Sequence, residues 1–263
     1  MPADYHLHTP LCHHANGWPV DFARRAVDLG LPEIGFSDHS PMPSFFDDWR
    51  MLDSDLPRYL EGVEEARARF PALPIRLGLE VDWLEGGEAW IDALAQRAPW
   101  DYLIGSVHYL GDWNFDNPAE VARFSDFGVE EAWDRYWQLF GQAARSGRFE
   151  IMGHPDLVKK FQHRPAGDLR RYYEPAVQAC LDADVAVEIN TAGLFKPVAE
   201  MYPAPEFLTL AAAAGLPLTI NSDAHAPEET GRAFPEALQL AAACGFTELA
   251  RFTRRQRRMV PLG

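Results

Sequence analysis

Phe149-Glu150-Ile151-Met152-Gly153-His154, a helical pattern over residues 169–182, and Val185-Ala186-Val187-Glu188-Ile189 form the unit on which the fold turns. Two short apolar, partly β-branched segments joined through an amphipathic helix read as a strand, a crossover helix and a parallel strand. The same alternation runs outward in both directions. Toward the amino terminus, strands are predicted at 3–7, 34–37, 75–79 and 102–107, with helices at 19–29, 56–70, 89–97 and 129–145 between them. Pro19 near a helix start and Gly30 after its end bracket the first of these helices. Toward the carboxyl terminus come a helix at 207–214 closed by Gly215, a strand at 218–221, and a helix at 228–243 closed by Gly245. Seven strand–helix units in strict alternation predict an α/β protein with a parallel sheet. At this length a closed or nearly closed barrel fits best, as one domain over 1–263, with a doubly wound open sheet as the alternative. No GxGxxG or Walker-type loop follows any strand, which weakens the nucleotide-binding version of the open sheet. The basic tail at 246–263, with five arginines from Arg251 to Arg258, reads as a solvated edge segment.

The chain has 263 residues, 47% of them hydrophobic, so there is ample material for a core. Its formal charge of −15 repels nucleic acid and anionic membrane, and neither is expected as a partner. An acidic chain can still take an anionic substrate where bound divalent cations concentrate positive charge. Three cysteines, Cys12, Cys180 and Cys244, make no disulfide or zinc-ribbon pattern, and an odd count suits a reducing cytosol. With no leader-like start and no apolar run near 18 residues, a cytoplasmic location is expected. No oligomeric state is read from the sequence.

Chemistry-bearing residues gather where the predicted strands end. His6 and His8 follow the first strand, Asp38 and His39 the second, and Glu80 and Asp82 the third. His108 follows the fourth, His154 and Asp156 the fifth, Glu188 and Asn190 end the sixth, and Asp223 and His225 follow the seventh. His6-x-His8 in extended chain puts both rings on one face. Barrel active sites form at the carboxyl end of the strands from several strands at once. With His14, seven of the nine histidines fit this face; His13, beside His14, is expected to point away, and His163 is spare. A mixed nitrogen and oxygen set without a plausible cysteine ligand suits Zn, Mn or Fe with open positions. The candidates outnumber one ion's ligands, so two or three divalent ions bridged by a carboxylate are expected. Such a cluster polarises a phosphoryl oxygen, activates a water and stabilises a leaving oxygen, which points to phosphoester hydrolysis. Lys159 and Lys160 after the fifth strand, and Lys196 after the sixth, are candidate phosphate contacts, with His163 and Arg164 nearby. Trp49, Tyr109 and Trp113 are candidate pocket walls, each equally readable as packing.

The segments His6-x-His8, His14, Ser37-Asp38-His39-Ser40, Gly78-Leu79-Glu80, Gly105-Ser106-Val107-His108, Gly153-His154 and Ser222-Asp223-Ala224-His225 together resemble the PHP (polymerase and histidinol phosphatase) superfamily. The stretches 36–43, 104–109, 190–194 and 202–205 are similar to its stand-alone histidinol-phosphate phosphatase branch. The resemblance spans His6 to Phe234 and implies a distorted (βα)7 TIM-like barrel with a trinuclear site. It implies a first ion on His6, His8, Glu80 and Asp223, a second sharing Glu80 with His108 and His154, and a third on His14, His39 and His225. Asp38 is then an outer residue orienting a ligand. Lys160 and Lys196 match the branch's phosphate contacts, where arginine is common; lysine keeps the charge and loses the bidentate fork. The resemblance implies a metal-dependent phosphomonoesterase that hydrolyses L-histidinol phosphate in histidine biosynthesis; a metal-bound water, or a nearby acid such as Asp223 or His225 beside Glu80, is expected to protonate the leaving alkoxide. Two other readings stay open at this stage. One is a phosphoesterase for another small phosphate ester or a nucleotide phosphate, and the other is a metal-binding barrel without activity.

Overall fold

Parallel pairing is the geometry that short strands joined by long helices must adopt, and it recurs five times in the principal sheet. A computed structural model describes residues 1–262. In chain order the main elements are α1 (Pro19–Leu29), β1 (Ile34–Phe36), α2 (Leu56–Arg69), β2 (Ile75–Asp82), α3 (Glu88–Ala95), β3 (Tyr102–Ser106), β4 (Tyr109–Leu110) and β5 (Trp113–Asn114). Then follow α4 (Arg123–Phe127), α5 (Val129–Arg145), β6 (Ile151–Met152), α6 (Arg170–Asp182), β7 (Ala186–Asn190), α7 (Pro205–Ala213), β8 (Leu218–Asn221), α8 (Phe234–Cys244), β9 (Glu248–Thr253) and β10 (Gln256–Pro261). The principal sheet has the order β1-β2-β3-β6-β7-β8, with every pairing parallel.

The seventh place in the ring belongs to residues 4–8, which pair on both sides. Asp4 bridges to Ile34 and Leu7 to Ala224, both in parallel register. Gly35 N donates to Asp4 O at 2.7 Å and Ala224 N to His6 O at 3.0 Å. The edge strands are thereby joined, and the open-sheet alternative is excluded. The first segment makes bridges rather than a full ladder because Tyr5 N donates to the Asn221 side chain (2.8 Å) instead of a main-chain carbonyl.

Alternation along the strands sorts the side chains. Leu103, Val187 and Ile189 face the helices, while Tyr102, Ile104 and Ala186 fill the base of the barrel interior. Gly35 and Gly78 leave the space the Tyr102 ring occupies, and a Cβ at either would overlap it. The same inward parity carries Glu80 and Asp82 on β2, Ser106 on β3, and Glu188 and Asn190 on β7 to the opposite end.

Three expectations need correction. The tail is not a solvated edge segment: β9 and β10 form an antiparallel hairpin that plugs the barrel base. Alternate residues are apolar, so Ala250 and Phe252 join Tyr5 and Tyr102 inside. The arginines reach acids on the base, Arg255 to Glu150 at 2.8 Å and Arg257 to Asp184 at 2.6 Å. The last helix begins at Phe234 rather than 228, because Gly231 (φ 65°) and Ala233 (φ 58°) take left-handed conformations that end a short turn at Pro227–Glu229. A small hairpin, β4–β5, stands where no strand was expected. No helix among the described residues is long and apolar enough to cross a membrane.

Candidate metal centre

Glu80, near the end of β2, is the hub of the barrel's open end. Its Oε2 lies 3.3 Å from His6 Nε2, 3.0 Å from His39 Nδ1 and 3.7 Å from His8 Nε2. Its Oε1 lies 2.8 Å from His154 Nε2 and 3.5 Å from His108 Nε2. One buried carboxylate thus touches five imidazoles from four chain segments. Asp223 Oδ1 adds contacts of 3.1 Å to His8 Nε2 and 3.8 Å to His6 Nε2. His14 and His225 turn their Nε2 atoms toward each other at 3.0 Å. Asp223 (φ 52°) and His154 (φ 27°) hold left-handed backbone conformations that side chains rarely adopt, a strain that concentrates where groups must be aimed.

Behind these groups sits a layer of oxygen acceptors that fixes the rings. His6 Nδ1 meets Glu188 Oε1 at 2.8 Å, and His108 Nδ1 meets Asp82 Oδ1 at 2.7 Å. His14 Nδ1 donates to Cys12 O (2.8 Å) and His225 Nδ1 to Asp223 O (3.1 Å). Four rings therefore present Nε2 forward with Nδ1 engaged from behind, the arrangement that orients a metal-binding imidazole. Asp38 stands 3.5 Å from His8 Nδ1 and accepts from the main-chain N–H of Thr9 and His39.

Charge divides the cluster. Burial pushes the Glu80 and Asp223 carboxyls up, but histidines, His39 and His6 foremost at Glu80 and His6 and His8 at Asp223, outweigh it and hold both well below the usual range. Burial likewise opposes charge on His108, yet Asp82 and Glu80 raise it to about 9. His14 is driven down to about 4 by burial and by His39 and His8. His225 falls well below its ordinary value for the same reasons, burial first. With both Nδ1 atoms donating to carbonyls, the two neutral rings face each other lone pair to lone pair at 3.0 Å with no proton between them. His6 Nε2 and Glu80 Oε2 are also buried without a hydrogen-bond partner. Donor atoms within 4.8 Å of one another include the sets His6, His8 and Asp223; His6, Glu80 and His154; and His8, His39 and His225. Convergent lone pairs, unpaired buried atoms and a mixed imidazole–carboxylate donor set fit divalent cations.

Cys12, set aside as a ligand on sequence grounds, places its sulfur in reach of the same cluster, within 4.8 Å of donors on His14 and His225. Burial, then Asp38, raises its thiol and keeps it protonated, which disfavours metal binding. His13 turns away, is exposed, and meets only Asp48 O at 3.2 Å.

Above the cluster opens a cavity of about 330 Å³ whose walls include Lys160, Lys196, Trp49 and Tyr109. Lys160 Nζ is held by Asp116 through O (2.9 Å) and Oδ1 (2.5 Å). Its neighbour Lys159 is fully buried and pairs with Asp156 at 3.1 Å, so it serves the framework. His163 stacks on Phe124, Arg164 pairs with Glu200, and Trp113 is buried among Phe115, Phe124 and Phe127; none lines the cavity. Sequence reading missed Arg50, Asp116, Tyr202 and Arg232 on the walls. Arg50 follows a proline- and aromatic-rich loop at 41–49 and pairs with Asp82 at 2.8 Å. The available clue was position alone, since all four lie on segments that follow strands.

The family model for the PHP domain matches residues 4–192. A Deinococcus radiodurans protein named "Probable histidinol-phosphatase" is 42% identical over 260 residues, 98% of each chain. A Bacillus subtilis protein named "Histidinol-phosphatase" is 29% identical over 262 residues, 90% of this chain and 98% of its own. Among solved structures, the Lactococcus lactis histidinol phosphate phosphatase, described as complexed with Zn, L-histidinol and phosphate, superimposes with a TM-score of 0.84. It is 24% identical and covers 98% of each chain.

Proposed function

The chain belongs to the PHP domain family, and from that premise we propose that it hydrolyses L-histidinol phosphate to L-histidinol and phosphate as a metal-dependent phosphomonoesterase. The observation that carries the reading is the meeting, in one cavity, of a carboxylate shared by five imidazoles and a wall of cations. We assign His6, His8, Glu80 and Asp223 to one divalent ion, Glu80, His108 and His154 to a second, and His14, His39 and His225 to a third. When bound, such ions polarise the phosphoryl group and lower the pKa of water. The chain's own residues do the rest. Lys160 and Lys196 draw the phosphate dianion onto the floor and balance its charge in the transition state. Glu188 and Asp82 hold His6 and His108 in a single tautomer and direction. Asp223, held ionised, stands 3.6 Å from His225 Nδ1 and is placed to orient a water that passes its proton to the leaving alkoxide. No covalent phosphoenzyme is required. Three unpaired cysteines fit a reducing compartment, and we read the enzyme as cytoplasmic, acting on a small molecule rather than on nucleic acid.

The test is phosphate release by protein reconstituted separately with Mn, Zn and Fe(II), on L-histidinol phosphate beside generic phosphomonoesters and a nucleoside monophosphate. A marked preference for histidinol phosphate is expected. Equal rates across the panel would remove the substrate assignment, and no release with any metal would remove the enzyme.

A further inference from the structure

The cavity presents four side-chain cations, and they are not equivalent. Arg50 is taken up by two carboxylates, Asp47 at 2.6 Å and Asp82 at 2.8 Å. Lys160 is held by Asp116. Lys196 makes no ion pair among the described residues. Arg232 differs from all three. Only its Nη1 is engaged, by Glu229 Oε1 at 2.8 Å, while its Nε is buried without a partner. Its guanidinium lies over the Phe195 ring at 4.0 Å from the centroid. The other oxygen of Glu229 accepts from His225 N at 2.8 Å, which ties the guanidinium to the strand end carrying Asp223 and His225. Thr191 Oγ1 donates to Arg232 O at 2.8 Å and joins the segments that follow β7 and β8.

We propose that Arg232 is a further substrate-binding residue, a rigid guanidinium fork that grips the phosphate dianion together with Lys196. The inference rests on the phosphatase reading and adds to it a residue of its own. Histidinol phosphate has one anionic group, so a cavity cation with free donors is addressed to the phosphate. Phe195 covers one face of the guanidinium and Glu229 holds Nη1, which sets the rotamer beforehand and leaves the remaining N–H groups without a protein partner. Phe195 immediately precedes Lys196, so one short turn positions both cations. A planar fork supplies the bidentate geometry that Lys160 and Lys196 cannot.

The experiment uses the metal-loaded protein and two readouts: calorimetric titration with inorganic phosphate, and the kinetics of L-histidinol phosphate hydrolysis. Arg232→Met is expected to raise the phosphate Kd and the KM together by roughly ten- to a hundredfold, the loss of charge-assisted hydrogen bonds. Metal content and melting temperature should stay as in the native protein. Arg232→Lys should recover part of the loss. Phe195→Ser, at an exposed position, should weaken phosphate binding several-fold by freeing the guanidinium. A phosphate Kd for Arg232→Met within about twofold of native overturns the proposal. If the native protein binds phosphate through Arg232 yet spares histidinol phosphate, the substrate reading falls and this one stands. If hydrolysis proceeds and Arg232→Met changes neither Kd nor KM, the reverse holds.

Discussion

Glu188→Gln tests whether the layer behind the histidines is built as described. Glu188 is fully buried, and each of its oxygens accepts twice. Oε1 receives His6 Nδ1 (2.8 Å) and Asn221 Nδ2 (2.7 Å); Oε2 receives His154 N (2.6 Å) and Asn190 Nδ2 (3.2 Å). Glutamine has the same shape but only one oxygen. Whichever way its amide turns, two donors face an NH2 group. Each buried donor left unpaired costs about 1–3 kcal/mol, so the substitution should destabilise the fold by roughly 2–6 kcal/mol. For a chain of this size that corresponds to a fall in melting temperature of about 4–24 °C. His6 also loses its anionic support, which should weaken metal retention by about ten- to a hundredfold. Melting curves of the metal-free protein isolate the first effect, and competition with a chelator measures the second. A metal-free Gln variant melting within about 2 °C of native would refute the four-donor network, because no rotamer of glutamine can satisfy it.

Neighbouring lysines should behave oppositely. Lys159→Met breaks a fully buried pair with Asp156 and should cost about 3–5 kcal/mol in denaturant melts, whereas Lys160→Met should leave stability nearly intact and raise KM. Elemental analysis of purified variants should show His6→Ala and His8→Ala losing one ion and His14→Ala a different one. His13→Ala should keep the full complement, and a large loss there would mean the wrong histidine has been assigned. Phe252→Ala, in the basal plug, should destabilise by about 3–5 kcal/mol while the folded fraction keeps its metal content, as read by thermal melting and the same elemental analysis.

The ring of strands was legible because alternation of apolar segments and helices has few topological solutions, and the cluster because chemistry sits at each strand's end. What escaped reading has physical causes. Phe252 and Ala250 are isolated apolar residues among arginines, and their inward direction depends on a hairpin register that charge content conceals. Lys159 and Lys160 are adjacent, and only the backbone turn after His154 decides which is buried. Arg50 and Arg232 lie in irregular segments with no periodicity to fix their direction. Arg232 was further hidden inside a predicted helix that positive φ values at Gly231 and Ala233 delay. The bridging segment at 4–8 was readable as a strand, but its side-chain bond to Asn221 was not.

The seam that closes the ring joins segments far apart in the sequence. Leu7 pairs with Ala224, and His8 meets Asp223 across the whole intervening sequence. Synthesis proceeds from the amino terminus, so His6 and His8 are made first and must wait for nearly the entire chain before their partners exist. Until then the first segment, paired to β1 on one side, leaves its other edge open, a condition that favours mispairing or capture by chaperones. Closure demands contacts between residues far apart in the chain, which places it late among folding events. Ion loading that needs both segments is therefore a step after translation, and a chain halted before residue 223 should hold a first set of histidines with nothing to complete it.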